Sequence, residues 1–175
     1  MTVRRTSRKG GFTLVEILIV VIILGILAAI VIPQFTNASQ DARKSSLTSQ
    51  LQTIRSQIEL YKLQHLDKLP PGLNGAPGTT AGATAWAEMI VKTDADHTIN
   101  TAGLCGPYLQ GAPVNSLNQK SAVLIVTADV TLGGASGSTA DGWIFNKTNG
   151  KTWATSAKFT KVYNEANPAD PNNDL

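Results

Sequence analysis

Two kinds of chemistry are written near the start of this 175-residue chain, and both depend on where a residue stands. Gly11 has no side chain to obstruct a protease cleft. It divides a basic stretch, carrying Arg4, Arg5, Arg8 and Lys9, from an apolar one that opens at Phe12. Cutting between Gly11 and Phe12 would remove the charges and leave the apolar run whole. Glu16 is the one charge inside that run. A carboxylate deep in a bilayer costs about 2.5–3.5 kcal/mol on insertion scales, and less near the edge. It therefore calls for a partner of opposite charge, or for a depth from which it snorkels to water.

Elsewhere, reactive residues are sparse. The lone Cys105 excludes an internal disulfide and any zinc cluster built on paired cysteines, and two scattered histidines, His65 and His97, argue against a metal site. Cys105 reads as a buried free thiol, with an intermolecular disulfide as the alternative. Asp94, Asp96 and His97 sit together in a polar loop and read as solvated surface. The chain has no Gly-x-Ser-x-Gly elbow, no His-Glu-x-x-His helix and no Cys-x-x-Cys pair, which disfavours an anchored enzyme, and no catalytic residue is assigned. Net charge is +3, but the four cations before residue 12 account for more than all of it and leave −1 for the rest. No nucleic-acid patch is expected downstream.

The elements that position Gly11, Phe12 and Glu16 follow from hydropathy and period. Ile17 to Ile32 is unbroken apolar or Gly, and from Phe12 the stretch is twenty-one residues long. As a helix it would be ~31 Å, about the thickness of a bilayer's hydrocarbon core. The basic flank precedes the run, so the positive-inside rule keeps residues 1–11 in the cytoplasm and places everything beyond Pro33 outside. Gly25 and Pro33 are tolerated in membrane helices, where neighbours re-satisfy the backbone. A cleaved secretory signal has the same layout, and Thr36-Asn37-Ala38 is an acceptable site for it. That alternative is a secreted binding protein beginning near Ser39.

Beyond Pro33 the chain turns polar but keeps helical period. Leu47, Leu51, Ile54, Ile58 and Tyr61 step by four, three, four and three, an apolar stripe on one face. The helix is predicted from Phe12 to about Leu66, ~82 Å in all. This gives a division into 1–11 (leader), 12–33 (apolar half), 34–66 (amphipathic half) and 67–175 (globular head). In the head, a small-residue loop follows Pro70, and Ala83 to Lys92 could form a short helix. Ala122–Thr127, Gly142–Phe145 and Thr152–Ala154 read as strands, the last two joined by the turn Thr148-Asn149-Gly150 as a β-hairpin. The expectation is an α+β head with a small antiparallel sheet of three or four strands over the stripe, and Trp143, Phe145 and Trp153 as packing residues. The Asn-, Asp- and Pro-rich tail from Asn164 reads as surface loop or disorder.

Lys9-Gly10-Gly11-Phe12-Thr13-Leu14-Val15-Glu16-Ile17-Leu18 resembles the prepilin processing site of type IV pilins and type II secretion pseudopilins. The resemblance implies a pilin-like fold, cleavage after Gly11 by a prepilin peptidase, N-methylation of Phe12, and pairing of Glu16 with the terminal ammonium of a neighbouring subunit. It also implies a non-catalytic subunit that is anchored in the inner membrane with its head in the periplasm and self-associates into a helical filament. Its partners would then be the peptidase, an assembly platform and minor pseudopilins. Tyr61-Lys62-Leu63-Gln64-His65 with Leu69-Pro70, and Gly106-Pro107-Tyr108-Leu109 with Pro113, are similar to the major pseudopilin of type II secretion. A type IV pilus or DNA-uptake subunit is the alternative, although the single cysteine disfavours the adhesive pilins that staple a C-terminal loop. Where that pseudopilin family continues to an Asp-Pro-Trp-Gly element and calcium-holding acids, this chain reads Val114-Asn115-Ser116-Leu117-Asn118. No cofactor is assigned, and calcium is carried over only to Asp170 and Asp174 as candidates.

Overall fold

A computed structural model describes residues 11–73, 75, 78, 80–138 and 140–173. The leader up to residue 10 and Asp174 lie outside the described residues. The chain forms two compact units, one ending at Gln40 and one beginning at Asp41. A single helix, α1 (Leu14–Gln64), contributes to both.

From Ile17 to Ile32 α1 is apolar all round, and none of these side chains is buried among the described residues. Side chains from Ile17 to Ile32 are about half exposed, among them Ile19 at 52% and Leu27 at 53%. By length and composition this is a helix able to cross a membrane. Pro33 lies inside α1 without ending it.

In the second unit the periodic stripe is the floor of the core. Leu47, Leu51, Ile54, Ile58 and Tyr61 are all 0–1% exposed. The helix stops at Gln64, slightly short of the expected end, because Leu66 and Asp67 take left-handed backbone angles, φ 55° and 63°. The Asp67 N–H then returns to the Lys62 carbonyl at 2.8 Å and closes the last turn.

Four short strands lie against this stripe: β1 (Thr80–Ala81), β2 (Val123–Val126), β3 (Trp143–Asn146) and β4 (Thr152–Ala154), ordered β1-β2-β3-β4. The expected all-antiparallel sheet is corrected here. β1 with β2 and β3 with β4 are antiparallel, but β2 and β3 run parallel, with Val123 opposite Trp143 and Val126 opposite Asn146. The cause is the long connection over residues 127–142, which carries the chain back to the starting end of β2 before β3 begins. The β3–β4 hairpin is as expected. Gly150, at φ 77°, donates its N–H to the Asn146 carbonyl at 2.8 Å and supplies the left-handed residue that this turn requires.

Both faces of the sheet are covered, so its strands read as continuous apolar runs. Val123, Trp143, Phe145 and Ala154 join the helix stripe in one cluster. Leu124, Ile144, Trp153 and Val162 form a second, with Val126, Val130 and Leu132 packed against it. The three aromatic residues expected to pack do so, Trp143 and Phe145 in the first cluster and Trp153 in the second. The segment expected to be a short helix is a 3₁₀ turn, Ala83–Trp86, followed by α2 (Ala87–Ile90).

Buried amides and one guanidinium join the loops to this frame. Asn115, fully buried, donates to the carbonyls of Gly142 and Thr155 at 2.8 and 2.9 Å. Gly142 has no room for a side chain, since a Cβ there would stand 2.2 Å from the Lys120 carbonyl oxygen. Arg55 donates to the Thr152 carbonyl and reaches both oxygens of Glu165, at 2.8 and 2.7 Å. Ile58 is fully buried in the stripe, so Ile58→Ala is expected to lower the unfolding free energy by about 2–5 kcal/mol. Leu63→Ala, at a site 82% exposed, changes it by less than about 0.5 kcal/mol. Denaturant unfolding of the detergent-solubilised chain, followed by tryptophan fluorescence, checks both.

Candidate functional site

Gly11, Phe12 and Glu16 lie within half a dozen residues at the start of α1. Thr13 is the N-cap. Its hydroxyl accepts the Glu16 N–H at 3.2 Å, and its own N–H and Oγ1 both donate to Glu16 Oε2 at 2.8 Å. This is a reciprocal capping box, Thr-x-x-Glu, which satisfies N–H groups that a helix start leaves open. The sequence holds the signal for it, but the role of Thr13 is seen only in the geometry. Among the described residues both contacts of the carboxylate are made by Oε2 and none by Oε1.

Gly11 itself meets no structural demand. A Cβ built on it would have nothing within 4 Å. Among the described residues, space is open for a side chain there. Phe12, next in line, is 84% exposed.

The remaining candidates lie in the second unit. Asp170 closes the C-terminal loop: its Oδ2 accepts the Asn164 side-chain amide at 2.8 Å, and its Oδ1 accepts the Asn172 N–H and amide at 2.9 Å. These donors, Asn164 first, hold the Asp170 carboxyl below the ordinary carboxylate range. The loop is ordered by Asn173, fully buried, whose amide reaches the carbonyls of Asn164, Asn167 and Pro168. Among the described residues no group of three or more His, Cys, Asp or Glu could hold a metal ion. Cys105 is a buried free thiol, as expected.

The polar cluster at residues 94–97 divides. Asp94 and Asp96 are spent on their own turn, accepting from Asn100 and from the Thr98 N–H. His97 turns inward, and its Nδ1 lies 2.7 Å from the Tyr61 hydroxyl. Tyr61 also stacks on His65, with ring centroids 3.8 Å apart. Sequence spacing could not place these rings together, because His97 comes from a loop 36 residues beyond Tyr61.

The N-terminal geometry has known counterparts. Residues 6–32 match the family model of the prokaryotic N-terminal methylation motif, which spans Gly11, Phe12 and Glu16. Prepilin peptidase-dependent protein D of Escherichia coli is 36% identical over 54% of this chain and 68% of its own. The type II secretion system core protein G of Pseudomonas aeruginosa is 40% identical over 62% of this chain and 68% of its own. The core protein G of Dickeya chrysanthemi is 40% identical over 33% of this chain, and only 38% of that relative's length is spanned. No solved structure matches significantly. An apolar helix capped through Thr13 and Glu16, an α+β head on its amphipathic half, the methylation motif and these relatives together place the chain: it belongs to the type IV pilin-like family of structural, non-catalytic subunits that includes the type II secretion system core protein G.

Proposed function

We propose that this chain is a prepilin cut between Gly11 and Phe12, methylated on the new Phe12 amine, and assembled as a subunit of a type II secretion pseudopilus. The observation that carries the reading is the first unit of α1. It presents apolar surface on every side and pairs the one carboxylate of that surface with Thr13 through a single oxygen. Lipid covers such a helix before assembly, and other copies of the same helix cover it afterwards.

Glu16 gives the transfer a direction. In the bilayer its Oε1 has no counter-charge. In a filament the terminal ammonium of a neighbouring Phe12 can supply one, and the gain is largest where water is excluded. The same pairing fixes the axial register of one subunit against the next. The leader stays cytoplasmic and the head is periplasmic by the positive-inside argument. The peptidase, an inner-membrane platform and minor pseudopilins are the partners this route requires. A type IV pilus or DNA-uptake filament would use the same segment and differ in its machine.

Calcium enters as a proposal for the C-terminal loop alone. Asp170 supplies the carboxylate, with Asp174 beyond the described residues. The asparagine amides around Asp170 can present oxygen to a cation by turning over. A higher unfolding temperature in calcium than in chelator is the expected sign, and equal temperatures remove the idea.

The deciding measurement is the intact mass and N-terminal sequence of the chain isolated from membranes of a host carrying a prepilin peptidase. A start at methylated Phe12 is expected. A start near Ser39 would make it a secreted protein, and an untrimmed chain a simple anchored one. Gly11→Val is expected to leave the leader attached in at least ~90% of molecules, as read by the same mass. Glu16→Gln keeps the capping oxygen but removes the charge. It should be processed normally while sheared-filament yield drops at least ~tenfold, the equivalent of about 1.4 kcal/mol in assembly. Normal filament yield from Glu16→Gln would exclude the pairing role.

A further inference from the structure

The C-terminal end of α1 and the segment 93–105 meet through a small stack of rings that the filament reading does not use. Tyr61 lies on His65 at 3.8 Å between centroids and 6° between planes. His97 lies 5.0 Å from His65, again nearly parallel. The edge of Tyr108 closes the group from the side, 5.1 Å from Tyr61. The segment is a small closed loop in its own right, with Thr93 and Cys105 exchanging both backbone hydrogen bonds at 3.0 Å. It is fastened to α1 by the contacts of His97 with Tyr61 and of Thr93 with His65, the latter at 3.0 Å. Tyr108, just beyond the segment, adds a hydrogen bond to Gln64 at 2.6 Å.

We propose that Tyr61, His65 and His97 form an acid-released latch: neutral imidazoles hold segment 93–105 on the end of α1, and protonation of His97 frees it.

Neutral rings meet every hydrogen bond of the stack. His65 Nδ1 faces the Tyr61 backbone carbonyl at 2.9 Å and must donate, because a carbonyl only accepts. Its Nε2 then accepts from Thr93. Burial pushes the Tyr61 phenol upward, so it keeps its proton and donates it to His97 Nδ1. Adding a proton to that Nδ1 forces the phenol to turn and accept instead, so its own buried O–H loses this partner. It also places a positive charge against the face of His65, a ring that is fully buried.

The surrounding charges divide. Lys68, which follows α1, opposes a cation at His97, and Lys147 of the β3–β4 turn lines the same cleft with Asp67. Glu88 of α2 and the neighbouring Asp96 favour one. Asp94 is committed to Asn100, and Asp67 to Lys62 at 3.7 Å. Loss of hydration outweighs the acids and holds His97 below the ordinary histidine value near 6.5. The released form therefore binds the proton more tightly. The latch is at full strength above about pH 6.5 and weakens as pH falls from there toward the lower value of the closed form.

The chain carries its own reporter. Cys105, its sole cysteine, sits at the end of this segment, 9% exposed, with Sγ 4.0 Å from the Gln64 carbonyl. The test is pulse labelling of Cys105 in the full chain in detergent micelles, with a pyridyl disulfide that reacts with thiols in acid, normalised at each pH to the urea-unfolded chain. Between about pH 7.5 and about pH 5 the normalised rate is expected to rise about three- to tenfold, while fluorescence of the buried tryptophans stays constant. His97→Gln removes the titration and flattens the profile. Tyr61→Phe removes the hydroxyl and raises the rate already at neutral pH. A flat wild-type profile, an undiminished rise in His97→Gln, or a rise accompanied by loss of tryptophan fluorescence overturns the latch. None of these readouts depends on processing or filament assembly, so the latch and the proposed function fail separately.

Discussion

The head depends on one seam, the burial of five side chains of α1 against the sheet. Leu47, Leu51, Ile54, Ile58 and Tyr61 lose essentially all contact with water. At roughly 1.5–3 kcal/mol for each fully buried apolar side chain, the stripe outweighs the net contribution of any hydrogen bond in the molecule. The strands are too short to stand alone: β1 has two residues and β4 three. They are held because Val123, Trp143, Phe145 and Ala154 close over the helix, and because a second apolar layer under residues 127–142 covers their other face.

Such a sheet leaves long connections whose backbone must still be satisfied, and asparagine does much of that work here. Asn115 bridges Gly142 and Thr155. Asn118 reaches Thr155 and Ser156, and Asn173 gathers three carbonyls of the C-terminal loop. An amide offers two donors and an acceptor on a short stem, which suits it to ordering a loop that has few apolar residues. Arg55 does the same at the outer edge, where its planar fork matches the two oxygens of Glu165. Thus the tail from Asn164 to Asn173 is ordered although its composition is that of a disordered segment.

What the sequence disclosed and what it withheld follow from the range of the interactions. The apolar run, the stripe on α1 and the Thr148-Asn149-Gly150 turn are local patterns of period or residue type, and each lies where it was read. The parallel β2–β3 pair was not legible, since its register is set by a sixteen-residue crossover that carries no periodic signal of its own. For the tail, the choice between surface loop and disorder was not legible, because a buried Asn173 looks like any exposed asparagine until its partners are in place. The inward turn of His97 was hidden for a related reason: Asp94 and Asp96 make the stretch look wholly polar, yet they serve only to fold the loop that delivers the ring to Tyr61.

At the N-terminus, a single carboxylate meets the local demand of the helix start through one of its oxygens. A helix start needs acceptors for its open N–H groups, and Thr13 with Glu16 Oε2 provides them without any second molecule. That contact also fixes where the carboxylate points, so Oε1 is presented by an ordered side chain and not by a freely rotating one. A partner that binds Oε1 has little side-chain entropy to restrict, up to about 1.5–2 kcal/mol for a glutamate that would otherwise rotate. Thr13 is therefore a positioning residue for Glu16. The capping box that begins α1 thus also sets the direction of the one carboxylate in its apolar run.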